Sequence, residues 1–316
     1  MRLNRRRLLV LGGLTGLGVF SLVKGWLHNG GVASSPKLNS AQLQPPSPPE
    51  SSNVADGSQA VTANPLLRFV AIADTGAADD NQYAVADAMT RYCQQHPYNL
   101  VLLAGDNIYN NGEIWKIGEV FEQPYKSLLT RGVTFRACLG NHDIRTENGD
   151  PQVKYAGFNM PQRYYTFREK TVQFFALDTN VNADWKAQLT WLDQELRRSD
   201  APWKIVFGHH PIYSSGAYGS NPAFIDALTP LFKKYGVQLY INGHEHSYER
   251  TRPINGTTYL ITGIGGAYLR PVGQSEWTDY SVSQYGFTVL EVYGDRIDVR
   301  GIATNNQVFD RGTIQL

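Results

Sequence analysis

Five apolar runs of strand length each end on side chains that bind metals, and only a fold that gathers those ends can use them together. The strings are VAIADTG with Asp74, LLAGDNIY with Asp106 and Tyr109, LGNHD with Asn141 and His142, IVFGHHP with His209 and His210, and NGHEHSYER with His244 and His246. A short turn-forming stretch follows most of them. In open α/β sheets, ligands sit at the carboxyl ends of strands, so this common position argues for one shared site. Histidine usage sharpens the point. The chain has seven, five of them lie in these strings, and only His28 and His96 lie elsewhere.

The periodicity between the strings supplies the layers. Strands are expected at 66–73, 100–104 and 133–139, a hairpin at 163–168 and 171–178, and further strands at 204–207 and 237–241. Helical spacing runs over 81–92, over 114–129 with Pro124 inside it to break or kink it, from the capping Asp184 to Arg198, and over 222–235. After Arg252 only strands are expected, at 258–262, 287–293, 297–303 and 308–314. Strands alternating with helices argue for a mixed sheet with helices outside, and the closing strands argue for a second sheet packed on the first.

Net charge is +1, which gives no broad basic field for nucleic acid. Charged residues are 18% of the chain and tyrosines number 18, which fits a sheet-rich protein with a large core. Cys93 and Cys138 lack metal-ligand spacing and read as buried free thiols, with a disulfide open in an oxidising compartment.

The first residues have a different character. Arg5-Arg6-Arg7 precede a short, mildly apolar stretch from Leu8 to Val23. Asn4-Arg5-Arg6-Arg7-Leu8-Leu9 resembles the bacterial twin-arginine signal. Residues 1–28 are therefore expected to be an export signal or a retained N-terminal anchor, with Gly31-Val32-Ala33 the best cleavage candidate. The destination is periplasmic or extracellular, the partner during export is the twin-arginine translocase, and membrane attachment follows only if the segment stays uncleaved. Residues 29–64 are rich in Ser, Pro, Asn and Gln and read as a disordered linker, leaving 65–316 as the folded domain.

The donors divide by chemistry. Asp74, Asp106 and Tyr109 offer hard oxygens, Asn141 a neutral amide, and His209, His244 and His246 imidazoles. They could complete two metal sites if one carboxylate is shared, and Asp106 is the natural candidate. A phenol binds as phenolate only to a strong Lewis acid, so Tyr109 points to ferric iron; an ordinary buried tyrosine is the alternative. His142 is read as the group that stabilises phosphoryl oxygens or protonates a leaving alkoxide, against a role in orienting a ligand. His210 is as well explained by a structural role as by contact with substrate.

Taken in order, Asp, Gly-Asp-x-x-Tyr, Gly-Asn-His-Asp, Val-x-x-His and Gly-His-x-His resemble the calcineurin-like metallophosphoesterases, and Tyr109 narrows the resemblance to the purple acid phosphatases, the tartrate-resistant type included. It covers about residues 68–250, and Thr262-Gly263-Ile264-Gly265-Gly266 extends it. The resemblance implies a four-layer α/β/β/α sandwich of two mixed sheets. It implies a ferric site of Asp74, Asp106, Tyr109 and His246, and a divalent site for Fe2+, Zn2+ or Mn2+ of Asp106, Asn141, His209 and His244. The implied activity is acid phosphatase: a metal-bound hydroxide attacks a small phosphate monoester and His142 assists the leaving group. Asn141 and His142 would also contact substrate. One departure is the loop Ser214–Ser220, where Tyr218 stands at the place in which relatives often carry a substrate-contacting histidine. Two other readings stay in view. One is the same chemistry on diesters or nucleotides, with Trp115 and Tyr218 as stacking aromatics; the other is a non-catalytic phosphate- or metal-binding module.

Overall fold

The computed structural model describes residues 64–316. The expected targeting segment and, apart from Asn64, the linker lie outside the described residues. The elements are β1 (Leu67–Ile72), α1 (Asp80–Gln95), β2 (Leu100–Leu103), β3 (Thr134–Ala137), β4 (Tyr165–Glu169) and β5 (Val172–Ala176). They continue with α2 (Trp185–Arg198), β6 (Trp203–Phe207), α3 (Pro222–Tyr235), β7 (Leu239–Asn242), β8 (Tyr248–Thr251), β9 (Thr258–Thr262) and β10 (Thr278–Val282). β11 (Gly286–Val292), β12 (Arg296–Ala303) and β13 (Val308–Gln315) close the chain.

Each long helix starts where a side chain satisfies an open backbone donor. Asp79 accepts from Gln82 N, Asp184 from Ala187 N, and Asn221 from Phe224 N with Pro222 behind it. The strands form two mixed sheets, β13-β12-β11-β1-β2-β3 and β10-β8-β9-β7-β6-β5-β4. Alternation along the strands sorts side chains into layers. On β5 and β6, Phe174, Trp203, Ile205 and Phe207 join the core between the sheets with Phe69 and its cross-strand partner Leu290. Their neighbours Phe175 and Val206 face outward beneath Leu192 and Leu196 of α2 and Leu228 and Phe232 of α3. Val85 and Met89 of α1 pack on the other sheet. The order is helix, sheet, sheet, helix, the four-layer sandwich expected.

Two expectations are corrected. The closing strands do not make a sheet of their own: β11 pairs antiparallel with β1, placing Phe69 opposite Leu290, so β11–β13 extend the first sheet. The second sheet is built from β4–β10, and its strands β8 and β10 were not foreseen. β8 reads Tyr248-Glu249-Arg250-Thr251 and is wholly buried, because Arg250 is ion-paired and Glu249 is hydrogen-bonded. Arg250 meets Asp310 and Asp279, while Glu249 accepts from Ser215 and Thr278. The helical spacing over 114–129, where Pro124 leads to a break or kink, is three short turns: an Ile114–Lys116 3-10 turn, a Gly118–Glu122 π turn and a Lys126–Thr130 α turn. Cys93 and Cys138 are free and buried.

Candidate metal centre

Asp74 follows β1, Asp106 follows β2, Asn141 follows β3, His209 follows β6 and His244 follows β7. β1, β2 and β3 are mutually parallel, as are β6 and β7, so all five ends of these two groups carry a candidate ligand. The sheets meet at this end, where Ala73 N donates to Thr262 O at 3.1 Å. The turns off the strands are sharp. Asp74, Asp106 and His244 sit at φ of 58°, 52° and 69°, a left-handed conformation that Asp and His tolerate better than most residues. Two glycines make room for the carboxylates. A Cβ on Gly140 would stand 2.2 Å from Asp106 Oδ1, and one on Gly243 would stand 2.3 Å from Asp74 Oδ2.

The donor atoms fall into two groups that share a member. Tyr109 Oη lies 2.9 Å from Asp74 Oδ1, 3.0 Å from Asp106 Oδ2 and 3.1 Å from His246 Nε2. Asn141 Oδ1 lies 3.1 Å from His209 Nε2 and 2.9 Å from His244 Nδ1. Asp106 Oδ2 is also 3.4 Å from His209 Nε2, so it borders both groups. Ligand bonds of about 2.0–2.2 Å place neighbouring donors roughly 3 Å apart, which these separations match. The first group also concentrates oxygen: one phenol proton faces two carboxylates, a shortage that a cation would relieve. The residues therefore fit a pair of metal ions, which would share Asp106.

The ligand side chains are held from behind. His209 Nδ1 meets Ala104 O at 2.9 Å and His246 Nδ1 meets Tyr268 O at 2.7 Å, which turns each Nε2 toward the centre. His244 N donates to Asp74 Oδ2 at 3.0 Å, and His142 N donates to Asp106 Oδ1 at 2.9 Å. Burial alone would raise the Asp106 carboxyl, but His209 and His142 hold it well below the usual carboxylate range. Burial lowers His209, and Asp106 overrides it to reach about 9. Burial and then the His209 charge push His244 down to about 2. Burial, reinforced by Asp74 and Asp106, drives the Tyr109 phenol far above its ordinary value. An ion entering the centre would displace the protons on His209 and Tyr109.

Asp143, which the sequence reading did not single out, organises the loops beneath. Its buried carboxylate accepts from Asn107 N at 3.0 Å, Ile108 N at 3.1 Å and Gly140 N at 2.7 Å. Thr179 does the same on the other side: its Oγ1 accepts from His209 N and His210 N and lies 2.8 Å from His210 Nδ1. His210 is thereby tied to Thr179, and burial with the His209 charge lowers it to about 3. Its ring centre is 4.5 Å from that of His244, so it braces a candidate ligand.

His142 lies at the mouth. Its Nδ1 meets Asn110 O at 2.7 Å, so that nitrogen carries a proton, while Nε2 lies 3.3 Å from Arg145 Nη2 and 3.9 Å from Asp106 Oδ2. It lines a cavity of about 430 Å³ with Tyr109, Lys116, His246, Tyr268 and Arg270. Tyr218 does not line that cavity. It stacks on His244 with ring centres 4.5 Å apart and 25° between planes. Trp115 is exposed next to the cavity-lining Lys116, and Tyr268, part of the lining, is itself exposed.

Two layered sheets with paired donor clusters at their strand ends define a metallophosphoesterase scaffold. The calcineurin-like phosphoesterase family model matches residues 67–248, more than half of the chain, and the chain belongs to that family. Mouse tartrate-resistant acid phosphatase type 5 is 29% identical over 239 residues, covering 64% of this chain and 73% of the mouse protein. Purple acid phosphatase 7 of Arabidopsis thaliana is 29% identical over 261 residues, covering 72% and 79%. A purple acid phosphatase from yellow lupin seeds superposes with TM-score 0.66 at 21% identity, over 79% of this chain and 53% of the lupin chain. The anchor protein of the Plasmodium inner membrane complex superposes with TM-score 0.68 at 21% identity, over 79% and 89%. The last two show the shared fold.

Proposed function

We propose that the chain is a metal-dependent phosphoric monoester hydrolase of the acid phosphatase type, acting on small phosphate esters and releasing inorganic phosphate. The observation that carries this is Asp106 Oδ2, which borders a Tyr109–Asp74–His246 group on one side and His209 of an Asn141–His209–His244 group on the other. Asp74, Asp106, Tyr109 and His246 would hold ferric iron, the ion that suits a phenolate. Asp106, Asn141, His209 and His244 would hold a divalent iron, zinc or manganese ion. When bound, such a pair supplies positive charge to the phosphoryl oxygens and an activated water as nucleophile. The chain's own residues do the rest. His142, held through Nδ1 by Asn110 O, lines the cavity, and as the imidazolium, with a second proton on Nε2, it would protonate the leaving oxygen. The amide of Asn141 faces the same centre as His209 and His244, and the family relatives named as acid phosphatases support the monoester reading.

The test is metal analysis of the purified protein with turnover of p-nitrophenyl phosphate against its bis-ester. Two metals per chain and a strong monoester preference are expected, and Asp106→Ala should lose both metals together with activity. A parent that binds metals without turnover would be a binding module, and a diester preference would make it a phosphodiesterase.

Export by the twin-arginine route to the periplasm or beyond is part of the same proposal and rests on Arg5-Arg6. Among the described residues no helix is long and apolar enough to cross a membrane, so attachment would fall to the N-terminal segment. Changing Arg5 and Arg6 to Lys should leave the precursor in the cytoplasm; unimpaired export of that variant would assign the general secretory route.

A further inference from the structure

Arg270 is the cation of this cavity that no carboxylate claims. Its backbone N–H donates to His246 O at 2.9 Å, and its Nη1 donates to His244 O at 2.8 Å. One residue is thus fastened to the backbone of both histidines of the Gly-His-x-His string. Its Cζ lies 5.0 Å from the Tyr218 ring centre, and Tyr218 is itself stacked on His244. Tyr218 is fixed in turn by its N–H, which donates to the buried carboxylate of Glu245. Among the described residues, no acidic side chain lies within ion-pair distance of Arg270, whereas Lys116, the other cation lining the cavity, is paired with Glu113 at 3.0 Å. The remaining guanidinium N–H groups are spare donors in a cavity that also holds His142, Tyr109 and His246.

Charge decides what those donors are for. With two cations bridged by Asp106, a guanidinium built into the backbone of their histidine ligands would meet like charge, unless an anion lies between them. A phosphoryl dianion matches this demand, and the planar fork of arginine is suited to bind two of its oxygens. We infer that Arg270 binds the non-bridging phosphoryl oxygens of substrate and of product phosphate, and that Tyr218 is a positioning residue that holds the guanidinium over the cavity. This deepens the phosphatase reading and rests on it. It also gives Tyr218 a role through Arg270 in place of direct contact with the reacting ester.

The experiment uses the full metal-loaded protein and its Arg270→Gln, Arg270→Lys and Tyr218→Leu variants. Metal content is measured first, then the inhibition constant of inorganic phosphate, its Kd by calorimetry, and kcat and KM for p-nitrophenyl phosphate. Arg270→Gln is expected to keep both metals and to weaken phosphate binding by about tenfold or more, the scale of one charge-assisted hydrogen bond, with KM rising in step. Arg270→Lys should recover part of that loss, and Tyr218→Leu should weaken phosphate binding by a smaller factor with both metals in place. Unchanged phosphate affinity in Arg270→Gln would overturn the inference. So would loss of metal from that variant, because Arg270 would then only brace the histidines. Unchanged affinity in Tyr218→Leu would remove the positioning role. A parent protein without metals or turnover would instead overturn the phosphatase reading, and this inference with it.

Discussion

A phenol oxygen within 3.1 Å of two carboxylate oxygens and an imidazole nitrogen has too few protons for its neighbours, and that imbalance makes Tyr109 the most informative single residue of the chain. Loaded with iron and oxidised, the protein should be pink to violet, with a broad visible band from phenolate-to-iron charge transfer. Tyr109→Phe keeps the ring and removes the donor, so the band should bleach while metal analysis still finds iron held by Asp74, Asp106 and His246. An iron-loaded, oxidised and active parent without that band would assign Tyr109 a packing role. His142 is tested by leaving group. Its removal should slow alkyl phosphates at least ~10²-fold, the usual scale of general acid catalysis, and p-nitrophenyl phosphate far less. Equal losses on both would mean that it only stabilises charge. The candidate ligands that the structure gathers at the strand ends were legible in the sequence because each is a rare or chemically loaded residue at the end of an apolar run. Asp143, Thr179 and Arg270 were not. Their partners include backbone groups 26 to 36 residues away in Asn107, Ile108, His209, His210 and His244, and no local spacing announces a long-range contact to a main-chain atom.

At the scale of elements, the strands that read clearly are those with one unbroken apolar run. β8 escaped because Glu249 and Arg250 make it look like a solvated loop, and its burial depends on partners far along the chain. Arg250 on β8 donates from Nε to Asp310 Oδ2 of β13 at 2.8 Å, and Tyr248 donates to the same oxygen at 2.7 Å. Because β8 and β13 belong to different sheets, this cluster ties one sheet to the other. Removing one partner leaves a buried charge, so Asp310→Ala should destabilise the fold by about 3–5 kcal/mol in denaturant unfolding. The double variant Arg250→Met, Asp310→Leu should recover much of that loss; a double variant as unstable as the single one would show that packing, not charge, sets the cost. The placement of β11–β13 failed for a related reason. Antiparallel hairpins at the end of a chain say that strands pair with one another, but not that the first of them closes on β1 more than two hundred residues earlier.

For the molecule as a whole, the candidate ligands run from Asp74 to His246 and come from both sheets. Ions bound only by the folded state stabilise it by mass action, about 2.7 kcal/mol for each site at a free ion concentration a hundred times Kd. Chelation should therefore lower Tm, and returning metal should raise it in proportion to the logarithm of its concentration; a Tm indifferent to metal would separate the centre from the stability of the fold. The meeting of the sheets at Ala73 and Thr262 has a further consequence, which concerns time. No short segment of this chain carries the full candidate ligand set, so a shared metal centre could form only once the two sheets have docked. A nascent or half-folded chain would hold at most scattered histidines with weak, exchangeable affinity. Metal capture then works as a certificate of completion: the ions should enter in the last kinetic phase of folding, and a chain that carries both of them has already been proofread by its own topology.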